Sequence, residues 1–133
     1  MIVILDVNVI LSALIRDSTT RRIILDSEFS FCFPEPSLNK IQKHKNYIMA
    51  KSGLSEKEFD KLLAILFKYI KIVYREEIEK NWAEAKKIMA HIDKEDAVFI
   101  AAALSIRDSV IWSDDRHFEK QNKIKILKTK DMV

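Results

Sequence analysis

A chain of 133 residues with 48% hydrophobic and 32% charged side chains has the makeup of one soluble globular domain, and residues 1–133 are read as that single domain. A net charge of +3 permits a polyanionic partner without demanding one. The only glycine, Gly53, excludes a phosphate-binding loop, a dinucleotide fingerprint and a serine nucleophile elbow, and the only cysteine, Cys32, excludes an internal disulfide.

A lone thiol predicts a reducing, cytoplasmic setting. No apolar run reaches the length of a membrane span, and the apolar start is no signal peptide because Asp6 and Asn8 interrupt it. His44, His91 and His117 stand too far apart for a local zinc motif. Carboxylates are what remain for chemistry.

In chain order, Ile2 to Leu5 is a continuous apolar run, the pattern of a strand buried on both faces of a parallel sheet. Val7 to Ile15 reads as a short helix, Asp17 to Thr20 as a loop, and Thr19 or Thr20 as the cap of a second helix containing Ile23 and Ile24. Phe31 to Phe33, ending at Pro34, suits a second strand. Leu38, Ile41, Lys45 and Ile48 continue at helical intervals from Pro36 until Gly53 stops the helix. Ser55 with Glu58 is a capping box for the next helix, which carries Phe59, Leu62, Leu63, Leu66 and Phe67.

Ile70 to Val73 is a third strand, and Ile78, Trp82, Ala85, Ile88 and Met89 form the core stripe of one helix ending near His91. Asp93 can cap a helix with Ala97, Ile100, Ala101 and Leu104 turned inward. Val110 to Trp112 and Ile124 to Leu127 supply the last strands. Strands alternating with helices predict an α/β domain, a three-layer α/β/α sandwich around a mainly parallel sheet of about five strands.

The acids fall in a pattern. Asp6 ends the first strand, Asp93 and Asp96 open a helix at a spacing that shares one face, and Asp114 and Asp115 follow the fourth strand. If the first and fourth strands are parallel neighbours, their carboxyl ends open at one edge of the sheet, where α/β folds place ligands. Taken singly, each acid also has a structural explanation: a cap for Asp6, a capping box for Asp93 with Asp96, an Asx turn for Asp114 or Asp115. Gathered together, they repel one another unless a cation neutralises them, and all-oxygen ligands suit Mg²⁺ or Mn²⁺.

LDVN at the start, DKEDAVFIAAAL from Asp93 to Leu104, and IWSDDRHF from Ile111 to Phe118 together resemble the PIN-domain family, nuclease-like proteins that include the toxin ribonucleases of toxin–antitoxin pairs. The resemblance spans nearly the whole chain. It implies that Asp6, Asp96 and Asp115 are the metal-binding and catalytic acids and that Asp93 is an accessory acid. Asn8 and Ser113 match small polar positions that support the site, and Asp114 fills a more variable place between Ser113 and Asp115. One departure stands out. Where the family usually has a further acid, early on the helix after the second strand, this chain aligns Lys40, with Glu35 nearby as a substitute.

The expectation is a metal-dependent endoribonuclease that hydrolyses RNA phosphodiesters, as in toxin–antitoxin pairs. Lys40, Lys43 and Lys45 would grip the RNA backbone. The resemblance also implies an antitoxin partner and a homodimer, with no membrane partner. The departure at Lys40 motivates an alternative, a PIN-like module that binds RNA or protein without turnover. Chemistry through an aspartyl phosphate is a weaker third reading, because Ile70 to Val73 leads into Tyr74 and Arg75 and not into an acceptor acid.

Overall fold

The computed structural model describes residues 1–15 and 19–133. The loop expected from Asp17 therefore lies partly outside the described residues, and Thr19 and Thr20 belong to the second helix itself.

Five strands, β1 (Ile2–Leu5), β2 (Ser30–Pro34), β3 (Ile70–Val73), β4 (Val110–Trp112) and β5 (Ile126–Leu127), form one sheet in the order β3-β2-β1-β4-β5. Every described strand pair is parallel. The last strand is shorter than the segment Ile124 to Leu127 suggests. Between β1 and β2 run α1 (Val7–Ile15) and α2 (Thr19–Asp26). Between β2 and β3 lie α3 (Leu38–Lys43), α4 (Lys45–Ser52) and α5 (Glu56–Leu66). Then come α6 (Arg75–Lys80), α7 (Trp82–Met89) and α8 (Ala97–Leu104) before β4, and a short α9 (Thr129–Met132) after β5.

The first two crossovers step one way along the sheet and the third returns past β1 to β4. Right-handed connections therefore put α1 to α5 on one face and α6 to α8 on the other, the three-layer α/β/α arrangement. Strand order reverses between β1 and β4, so the crevice at their carboxyl ends is the topological switch point. Leu5 pairs in register with Trp112, which aligns the residues that follow, Asp6 and Ser113.

Two expected helices are each broken in two. The helix running to Gly53 is interrupted at His44, and the one from Ile78 is interrupted at Asn81. The cause is the same in both. The ring nitrogen Nδ1 of His44 lies 2.8 Å from the Lys40 carbonyl, and the Asn81 amide donates to the Glu77 carbonyl at 3.1 Å. A polar side chain that binds the carbonyl four residues back competes with the helical ladder. Gly53 does close α4 in the left-handed conformation (φ 75°), and both bonds of the Ser55–Glu58 capping box are present.

Aromatic packing fixes the site-bearing turn after β4. Phe33 on β2 meets Phe99 on α8 at 6.2 Å between ring centroids, and Phe99 meets Phe118 edge-on at the same distance. Phe118 is fully buried, so burial of apolar area anchors the turn that also carries Asp115 and His117.

Candidate metal centre

Asp6 follows β1 directly and is buried, 5% exposed. Its Oδ2 accepts a 2.7 Å hydrogen bond from Ser113 Oγ, at the end of β4. The same hydroxyl oxygen accepts from the Asp115 backbone N–H at 3.0 Å, so one buried serine ties two acids that are far apart in sequence. Asp115 in turn caps the following 3₁₀ turn, its Oδ1 accepting from the His117 N–H at 2.9 Å.

The third contribution comes from the amino end of α8. Asp93 Oδ1 accepts from the Glu95 N–H at 2.9 Å, which shapes a 3₁₀ turn over Lys94–Asp96. The Asp96 carboxylate makes no capping bond, and its buried Oδ2 has no hydrogen-bond partner among the described residues. The reciprocal capping box that Asp93 and Asp96 allow is therefore not formed, and Asp96 is turned into the crevice.

His117 joins them. Its Nδ1 lies 3.4 Å from Asp93, 3.6 Å from Asp96 and 3.5 Å from Asp115, close to three carboxylates and beyond a good hydrogen bond with any of them. Asp93, Asp96 and His117 each place a ligand atom within 4.8 Å of the others. Sequence spacing gave no hint of His117, since its partners come from a separate helix. The signal available was its place two residues after Asp115, inside IWSDDRHF.

The electrostatics report the crowding. Burial pushes the Asp96 carboxyl up to about 6, and the charges of Asp93, Asp6 and Asp115 add to that, against a smaller opposing pull from His117. Burial likewise raises the Asp6 carboxyl, with Asp115 adding, while Ser113, the Val7 N–H and Lys40 draw it back.

A family model for the PIN domain matches residues 4–132 of this sequence. The chain belongs to the PIN-domain family. Within this PIN fold the chain is similar to a chain in the solved structure of VapBC2 from Rickettsia felis, bound to a DNA fragment from their promoter. That similarity has a TM-score of 0.70 at 15% identity, over 96% of this chain and 98% of that one. No curated protein matches the sequence. PIN domains are generally nucleases and generally use divalent metals, so membership points to hydrolysis of nucleic acids as the class of chemistry.

Not every expected residue reaches the PIN centre. Asp114 turns away to Thr129, accepting from its N–H at 2.9 Å and its hydroxyl at 2.6 Å. Asp115 is extended (φ −75°, ψ 125°), and extended backbone sends successive side chains to opposite sides. Glu35 accepts from the Arg75 N–H at 2.9 Å and so fastens the start of α6. Lys45 is committed to Asp60 at 2.9 Å and lies over the Phe59 ring, joining α4 to α5. Asn8 and Lys43 are exposed, on α1 and α3. Lys40 is the exception among the lysines, half-buried and near enough to Asp6 to stabilise its charge.

The residues present fit a divalent cation. The donors are carboxylate oxygens with one imidazole alongside, one buried carboxylate oxygen is unpartnered, and the mutual repulsion is of the kind a cation relieves. No helix among the described residues is long and apolar enough to cross a membrane.

Proposed function

We propose that this PIN-domain chain is a metal-dependent endoribonuclease, acting as the toxin of a toxin–antitoxin pair. The single observation that carries the reading is the convergence of Asp6, Asp93, Asp96 and Asp115 at the β1/β4 switch point, with Asp96 Oδ2 unpartnered. Asp6, Asp96 and Asp115 would hold Mg²⁺ or Mn²⁺, which when bound would lower the pKa of a water and offset charge developing on the phosphodiester. Ser113 orients the Asp6 carboxylate and fixes the Asp115 backbone in one stroke. Asp93 and His117 flank Asp96 and hold its field, while Lys40 supplies the cation that meets the RNA backbone.

The VapBC2 structure is of a two-component complex on its promoter DNA, which supports an antitoxin as partner here. A homodimer and a cytoplasmic location complete the reading, the latter because Cys32 is a free thiol.

The experiment is cleavage of a fluorogenic single-stranded RNA by the purified chain with Mn²⁺ or Mg²⁺. Asp6→Asn and Asp115→Asn should each lower the rate by about a hundredfold or more. Equal rates in both variants would sink the assignment. Lys40 beside Asp6 favours a second reading, an RNA-binding module without turnover. RNA binding that persists in EDTA, with no cleavage when Mn²⁺ is restored, would favour that module.

A further inference from the structure

A groove of about 440 Å³ opens beside the acidic centre, within the ~300–1,000 Å³ typical of small-ligand sites. It is lined by Lys40, Arg75, Ile78, Glu79, Trp82 and Glu95, among others. Two links place it close to the centre. Lys40 lines the groove and also acts on Asp6, and Glu95 is the residue before Asp96. The corner is held firmly, because Glu35 fixes the Arg75 backbone.

The lining chemistry is mixed in an informative way. Trp82 opens α7 immediately after the Asn81 break and is half-buried, whereas the other tryptophan, Trp112, is fully buried. The α7 stripe packs Trp82 against the core, as its spacing predicts, without burying it fully. Lys86 Nζ sits over the Trp82 ring at 5.9 Å, and the cations of the groove itself are Lys40 and Arg75. Glu79 and Glu95 bring acceptors and no donors. An aromatic plane, cations for phosphate, and carboxylates that accept from N–H groups match an unstacked nucleotide.

We propose that this groove is a nucleobase subsite of the same centre. It takes an amino-bearing base (cytosine, adenine or guanine) of single-stranded RNA, stacked on Trp82, with the adjoining phosphate led past Lys40 to the acids. The inference rests on the nuclease reading and names its substrate class. Glu79 or Glu95 accepts from the exocyclic amino group, which uracil lacks, and a base held in a duplex cannot enter.

The test uses the whole chain in EDTA, so that binding is read without cleavage. Tetranucleotides of cytidine, adenosine and uridine are titrated while tryptophan fluorescence is followed, with buried Trp112 as constant background. Quenching by the cytidine and adenosine probes at several-fold lower Kd than by uridine is expected. With fluorescein-labelled cytidine tetranucleotide, Trp82→Ala should raise Kd roughly tenfold and Trp82→Phe should restore most of the affinity, as for one stacked base. Glu95→Gln should leave stacking in place and narrow the preference over uridine.

Equal affinity for all three probes overturns the subsite, and so does unchanged affinity in Trp82→Ala. Absence of quenching by any probe, with Mn²⁺-dependent cleavage intact, also overturns it, leaves the groove to a protein segment and leaves the nuclease reading standing. Selective quenching without cleavage under Mn²⁺ upholds the subsite and removes the nuclease reading instead.

Discussion

The two flanks of Asp6 are built differently. On one side, β4 and the start of α8 bring in Asp115, Asp96 and Asp93, held by a buried hydroxyl and by turns that use backbone N–H groups. On the other, the segment after β2 and the α6–α7 pair bring Lys40, Arg75 and Trp82, on helices interrupted by their own side chains. Acids gather where side-chain hydrogen bonds tie one element to another, and on the other flank Lys40, Arg75 and Trp82 share their wall with Glu79 and Glu95. A tied acidic pole beside a mixed wall is the division of labour expected when an ion must be placed closely and a polymer only gripped.

The largest effect should come from breaking the acidic side. Ser113→Ala removes the donor to buried Asp6 and the acceptor for Asp115 N–H together, so metal-dependent RNA cleavage should fall about 10- to 100-fold. Calorimetric titration with Mn²⁺ should show a matching loss of affinity, and wild-type affinity would mean that Ser113 only packs. Next, Lys40→Glu sets a carboxylate where the family resemblance expects one. Mn²⁺ affinity should rise several-fold while RNA affinity falls, and a loss of both would show that the lysine is structural.

The acidic pole also predicts a pH dependence. The Asp96 carboxyl stands at about 6 in the folded chain against an ordinary 3.8, so between those values the folded state holds a proton that the unfolded state has released. Stability of the metal-free protein should therefore fall as pH rises through that window, by up to about 3 kcal/mol. Asp96→Asn should flatten that slope in thermal melts. Mn²⁺ binding needs the ionised carboxylates and should strengthen as pH rises through about 6. The smallest effect belongs to Lys45→Met, which should cost roughly 0.2–1 kcal/mol of stability, because the ion pair with Asp60 is partly exposed, and should leave RNA affinity within about twofold.

Much of this was legible before the fold. β1 to β4 stand where their apolar runs stand, and Val7–Ile15 is helical from end to end, because burial on a parallel sheet writes itself into local composition. Side-chain partners defeated the same reading. His44 and Asn81 break helices through a bond four residues back, which no apolar period reveals. Lys45 is claimed by Asp60, Asp114 by Thr129, and His117 is brought to Asp93 and Asp96, each through a partner in a different element. The site pattern was visible as acids at strand ends. The resemblance singled out Asp115 over Asp114, and the extended backbone at Asp115, with Asp114 held by Thr129, gives the physical reason.

The Ser113–Asp6 bond joins residues 107 apart in sequence. α8 meets β2 through Phe99 and Phe33, which brings Asp93 and Asp96 near Asp6, but Ser113 and Asp115 join only when β4 docks beside β1. The tie between Asp6 and Asp115 is thus a long-range contact that local structure cannot make early.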